Sequence, residues 1–154
     1  MKVSSGIILF RTLGQQQEYL LLRPGGPFYK HQEEGIWTIP KGIVQPKEEE
    51  LAAAKREFKE ETGHTLQENP THFTRLRWSQ SKELTVYTLE GSLDPMTIVS
   101  NTFEMEYPKH SGVYQTFPEI ERGAWFSLEA ATLLVHPKLL PLLQALENNL
   151  SNYL

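Results

Sequence analysis

Residues 56–63, REFKEETG, crowd three carboxylates, Glu57, Glu60 and Glu61, into two turns of a segment that reads as the end of a helix. Leu51, Ala54 and Phe58 recur at spacings of three and four, marking one apolar stripe in a helix from Lys47 to Thr62, which Gly63 ends. At about 100° per residue, Glu57 at zero puts Glu61 near 40° and Glu60 near −60°, so the trio shares one face. The apolar stripe lies about a quarter-turn away, and Ala53 leaves room above Glu57. Lys55 and Lys59 point to the opposite side and do not neutralise the trio. Like charges one turn apart repel by a few tenths of a kcal/mol per pair. Either this is a solvated glutamate-rich face, or a hard divalent cation such as Mg²⁺ belongs between the carboxylates.

The spacing back along the chain decides between them. From Gly42 the pattern runs G-x5-E-x7-R-E-hydrophobic-x-E-E-x-G through Glu48, Arg56, Glu57, Glu60, Glu61 and Gly63. It resembles the signature box of the Nudix hydrolases, here residues 42–64. One position departs: the family prefers a hydrophobic residue after the last glycine, and this chain has His64. That position packs structure rather than performing chemistry.

The resemblance implies an α/β (α+β) fold, an α/β/α sandwich with a curved mixed β-sheet between helices, as one domain over residues 1–154. It implies an enzyme that hydrolyses a nucleoside diphosphate linked to another group, using Mg²⁺ or Mn²⁺. Carried onto this sequence, Glu57, Glu60 and Glu61 are the implied metal ligands, assisted by the carbonyl of Gly42. Arg56 is implied to orient Glu57, and Glu48 to brace the loop or a metal-bound water. Glu57 is one candidate for the general base. Cations bridging phosphoryl oxygens stabilise the charge that builds as water attacks, and lower the pKa of that water.

Other positions extend the match. Trp37-Thr38-Ile39-Pro40-Lys41-Gly42 is similar to a W-x-x-P-K-G run of the diadenosine polyphosphate hydrolase subgroup. Lys41 is a candidate phosphate contact as a compact point charge, and Arg23 a second. A further glutamate of that subgroup precedes a W-hydrophobic strand; aligning on Trp125-Phe126 selects Glu119, with Glu121 as the fallback. Either is a candidate second metal ligand or base. The subgroup also carries a tyrosine 16 to 18 residues after the box, where this chain has Gln80, Ser81 and Lys82. Base contact then falls to Tyr87, Trp78 or Tyr114, although Trp78 and Trp125 read first as core residues. Residues 100–126 resemble a bacterial set of Nudix proteins described as predicted NTP pyrophosphohydrolases. His31, His72, His110 and His136 have no ligand spacing and read as surface residues.

With 39% hydrophobic and 22% charged residues, the chain has a soluble globular composition. A net charge of −4 argues against a general nucleic-acid binder, so no stable nucleic-acid complex is expected. The chain has no cysteine, which leaves oxygen and imidazole as metal ligands. No apolar run reads as a signal peptide or membrane span, so a cytoplasmic protein is expected. Nudix proteins often form homodimers, and the sequence shows no interface.

The periodicities predict strands at Val3–Phe10, 18–22, 36–40, Phe73–Trp78, Leu84–Gly91 and 124–126. Residues 92–121, with Pro95, Pro108 and Pro118, read as loop. Ser127 is a cap, and Pro137 is expected to open a last helix through Leu150. The leading expectation is a dinucleoside polyphosphate or nucleoside triphosphate pyrophosphohydrolase. The alternatives are hydrolysis of ADP-ribose or an RNA 5′ end, and a non-catalytic nucleotide-sensing domain. Such domains typically lose box glutamates, and this chain keeps them all.

Overall fold

The runs GIILF and YLLL are apolar without alternation, as expected of strands buried on both faces. In the computed structural model, which describes residues 1–151, they lie in β1 (Lys2–Leu13) and β2 (Gln16–Pro24). Ile7, Leu9, Leu20 and Leu22 fill one face with Ala54, Phe58 and Ile120. Ile8, Phe10, Tyr19 and Leu21 fill the other with Trp37, Leu84, Val86, Leu139, Leu143 and Leu146.

The remaining strands are β3 (Lys41–Ile43), β4 (Thr71–Ser79), β5 (Lys82–Glu90), β6 (Thr102–Glu106), β7 (Tyr114–Pro118) and β8 (Ile120–Phe126). The helices are α1 (Glu50–Thr62), α2 (Leu128–Ala131) and α3 (Leu140–Ser151). The main sheet runs β4-β5-β1-β2-β8, with β3 also paired to β1. It is mixed: β1 and β5 are parallel and the other pairs antiparallel. α1 covers one face and the α2–α3 segment the other, which gives the expected α/β/α sandwich.

One edge of β1 serves two partners. Ser4–Gly6 pair with β3, and Phe10–Leu13 with β2. A Cβ on Gly6 would lie 2.8 Å from the Lys41 Cβ and 2.9 Å from the Pro40 oxygen, so glycine permits the close approach of the segment entering β3. This geometry sets Gly42 beneath α1.

Four local expectations change. The strand expected at 36–40 survives only as isolated bridges, Leu22 with Thr38 and Trp37 with Val135. Pro40 has no N–H to continue a ladder, and pairing resumes at Lys41. α1 begins at Glu50 instead of Lys47, because Lys47 has φ 67 in a turn closed by Glu48 N–H to the Gln45 carbonyl, 3.0 Å. α3 begins at Leu140 rather than Pro137; the second proline, Pro141, occupies the first turn, where the missing N–H costs little. Residues 92–121 are not all loop, since β6 and β7 form a separate two-stranded hairpin. Phe103 and Phe117 pack at its base, 5.8 Å between rings.

Candidate active site

The box arranges itself around Arg56. Its Nε and Nη2 donate to the two oxygens of Glu48 at 2.8 and 2.9 Å. Nη1 donates to Glu57 at 2.8 Å and to Glu60 at 3.2 Å, and Nη2 also reaches the Ile43 carbonyl at 3.1 Å. Glu48 accepts the Gln45 N–H as well, at 3.0 Å. The Arg56 pair, followed by that N–H, holds the Glu48 carboxyl down at about 2. The loop from 43 to 48 is thereby fastened to α1 by a planar, bidentate pair.

Glu57 and Glu61 turn inward over β3. A Cβ on Gly42 would run into the Glu57 carboxyl, so the box glycine supplies the space that this carboxyl fills. Glu61 accepts the Lys41 backbone N–H at 3.1 Å. Burial pushes Glu61 up to about 8, with Glu57 and Glu119 adding to the shift and the Lys41 N–H opposing it. Burial also raises Glu57, against the pull of Arg56, and Glu60 and Glu119 raise it further. Glu60 is the most open of the trio, its side chain 35% exposed.

Glu119 joins them from the bend just ahead of β8. Its carboxyl is raised by burial and by Glu60. Glu121 turns away and pairs with Arg23 at 2.6 Å. The preferred position, not the fallback, therefore faces the carboxylate helix.

Four carboxylates that share a partly desolvated site repel one another, and three are raised by burial and one another's charge. An all-oxygen donor set of this kind fits a hard divalent cation. Among the described residues no three side chains stand ready-spaced as ligands. Arg56 holds Glu57 and Glu60, and the Lys41 N–H holds Glu61.

One of the two expected phosphate contacts is placed otherwise. Arg23 is buried and its donors are committed: Glu33 (3.1 Å), Glu121 (2.6 Å), and the carbonyls of Tyr29 (2.7 Å), Gln32 (2.6 Å) and Pro24 (3.5 Å). It pins the 24–35 loop and offers nothing to a phosphate. Lys41 sends its ammonium over the Trp78 ring, 4.9 Å from the centroid, in a small cleft with Ser4, Lys82, Glu83 and Leu84. Burial lowers its pKa while Glu61 and Glu57 oppose that. Tyr87 meets His72 edge-on at 5.6 Å, and Glu50 raises its hydroxyl after burial does. Its neighbours thus lie at the start of α1, not at the carboxylates.

Sequence reasoning read His136 as a surface residue and Trp78 first as core, and did not bring the two together. The His136 ring lies 4.6 Å from Trp78, and Lys138 stands 5.3 Å over the same ring while bonding the Trp78 carbonyl. An aromatic ring flanked by two ammonium groups is thus half-buried at the sheet edge. The available signal was Lys82, four residues after Trp78, in place of the subgroup's tyrosine. His64, the departure from the box, bonds Thr97 Oγ1 at 2.8 Å and lines a cavity with Leu9, Phe58 and Leu66.

The family model for the NUDIX domain matches residues 2–146, and the chain belongs to that family. Among its relatives, the bis(5′-nucleosyl)-tetraphosphatase [asymmetrical] of Caenorhabditis elegans is 38% identical over 69 residues, 45% of this chain. That stretch spans only 46% of the relative's length. A crystal structure of a C. elegans Ap4A hydrolase binary complex aligns over 99% of both chains, with 25% identity and a TM-score of 0.66. The NUDIX domain of Shewanella oneidensis NrtR, complexed with ADP ribose, shares the fold at a TM-score of 0.64 and 16% identity, over 96% of this chain and 87% of that one.

Proposed function

We propose that this chain is a divalent-metal-dependent pyrophosphohydrolase acting on a nucleoside diphosphate linked to another group, with dinucleoside polyphosphates as the leading substrates and nucleoside triphosphates next. The observation that carries the reading is the cluster of Glu57, Glu60, Glu61 and Glu119 beside Gly42, with Arg56 locked between Glu48 and Glu57. The named activity of the C. elegans relative and the W-x-x-P-K-G run favour the dinucleotide.

Glu57, Glu60, Glu61, Glu119 and the Gly42 carbonyl would hold Mg²⁺ or Mn²⁺. The cation supplies neutralisation of phosphoryl charge and a more acidic water. Arg56 fixes the rotamer of Glu57, so its second oxygen is presented to the site rather than to solvent. Glu57 or Glu119 takes the proton of the water whose oxygen forms the new P–O bond as the anhydride P–O bond breaks. Lys41 and Lys82 offer charge to phosphates from the cleft beside Trp78.

The test is a panel of diadenosine tetraphosphate, the common nucleoside triphosphates, ADP-ribose and capped RNA, each with Mg²⁺ and with chelator. Mg²⁺-dependent release of nucleotide products from diadenosine tetraphosphate is expected. Turnover of ADP-ribose or RNA alone would move the substrate to that class, and no turnover of any would refute the enzymatic reading.

A further inference from the structure

The four residues ahead of the hairpin, 98–101, bridge the end of α1 and the chain entering β8. A helix leaves its last carbonyls without intrahelical partners. Here the Val99 N–H donates to the Thr62 carbonyl at 3.1 Å and the Asn101 N–H to the Glu60 carbonyl at 2.7 Å, closing the end of α1. Gly63 has φ 80, and a Cβ there would stand 2.9 Å from the Val99 oxygen, so this approach and the left-handed cap both call for glycine. On its other side the segment receives the chain returning from the hairpin: the Asn101 carbonyl accepts the Glu119 N–H at 2.9 Å. The Ile98 side chain presses on Gly123 in β8.

One side chain in this crosspiece acts on the Glu119 region. The Ser100 hydroxyl accepts the Ile120 N–H at 3.0 Å, and donates to the Asn101 carbonyl at 2.9 Å or the Ile120 carbonyl at 3.3 Å. Ile120 is buried in the core beneath α1, so losing that partner leaves its N–H short of a hydrogen bond in a largely dry place. Glu119 lies between the Asn101 and Ser100 anchors, and its own carbonyl accepts the Gly25 N–H at 2.9 Å.

We infer that Ser100 is a positioning residue: its hydroxyl fixes the backbone at Glu119–Ile120 against the end of α1, so that Glu119 meets the α1 carboxylates as one cation site. The inference rests on the reading above that Glu119 is a ligand. Without the hydroxyl, the Ile120 N–H loses its partner and the backbone beside Glu119 keeps only the bonds that Glu119 makes with Asn101 and Gly25, so the Glu119 carboxyl is held less firmly against the end of α1. Groups that orient ligands from behind typically cost about 10–100-fold in metal affinity when removed.

The test measures Mn²⁺ binding to the full chain without substrate, by water-proton relaxation, for the native chain, Ser100→Ala, Ser100→Thr and Glu119→Gln. Amide exchange of Ile120 is followed in the same samples. Expected are roughly tenfold weaker binding and faster Ile120 exchange in Ser100→Ala, recovery of both in Ser100→Thr, and weaker binding in Glu119→Gln. Native affinity in Ser100→Ala with weakened binding in Glu119→Gln would overturn the positioning role alone. Native affinity in Glu119→Gln would overturn the ligand reading, and the positioning role with it.

Discussion

Burial governs Glu61 before any ligand arrives. A carboxyl whose proton is held to about pH 8 shows how poorly the site tolerates an unpaired charge. Glu61→Gln keeps the shape and removes the charge, so the metal-free Tm should hold or rise. Turnover should fall by at least about 100-fold, because a carboxamide is a weak ligand for a hard cation. Differential scanning calorimetry and a diadenosine tetraphosphate assay check the two halves; retained turnover would refute Glu61 as a ligand. Arg23 behaves in the opposite way, as a buried cation fully paired. Arg23→Met leaves the Tyr29 and Gln32 carbonyls without their donor and should destabilise by about 3 kcal/mol in urea unfolding. The two residues also mark what the chain's pattern reveals. The place of Glu61 on the carboxylate face was readable because residues on one helix obey a fixed period. Arg23 was not, because its partners include backbone carbonyls of a loop beside Glu33 and Glu121, and a sequence carries no sign of which carbonyls lack a donor.

At the scale of elements, the site is a strand, a loop and a helix locked in register by Arg56 and Gly42. Gly42→Ala should leave circular dichroism unchanged, yet lower kcat/KM at least tenfold and weaken Mn²⁺ binding. The added methyl takes the space of the Glu57 carboxyl. Full activity in that variant would show that Glu57 need not lie where it does. α1 was legible through its apolar stripe, and its start was misjudged because a positive φ at Lys47 leaves no periodic trace. β6 and β7 were missed for another reason. Each is five residues long with no fully buried residue, so packing imposes no strong alternation, and the prolines at 95, 108 and 118 outweighed what alternation there is.

Across the whole molecule, the sheet separates two kinds of charge. Carboxylates gather under α1, while Lys41, Lys138 and His136 surround Trp78 beside α3, and Lys41 touches both through its N–H and its ammonium. His136 is the pH-sensitive member. Burial, then Lys138 and Lys41, lower its pKa from the usual 6.5, so the folded state prefers it neutral. Its Nδ1 also accepts the Lys138 N–H, a bond that needs the unprotonated nitrogen. The stability it contributes is present above about pH 6.5 and is lost as pH falls through the lower folded value. The urea midpoint should therefore drop between pH 7 and 5.5, and drop less in His136→Phe; equal drops would remove His136 from the account. The two-faced core was legible in GIILF and YLLL, whereas β1's shared edge was not, since pairing partners forty residues apart leave no mark in either segment.

The hairpin leaves the site at Asn101 and re-enters it at Glu119, and those two residues are joined by a single hydrogen bond. Its far end, around Ser111 to Val113, is exposed and lies across the hairpin from that root. A peptide tag or fluorophore spliced at that tip would hang from a stem whose base is already closed. The chain thus carries its own grafting point, where cargo can be added without rewriting the box.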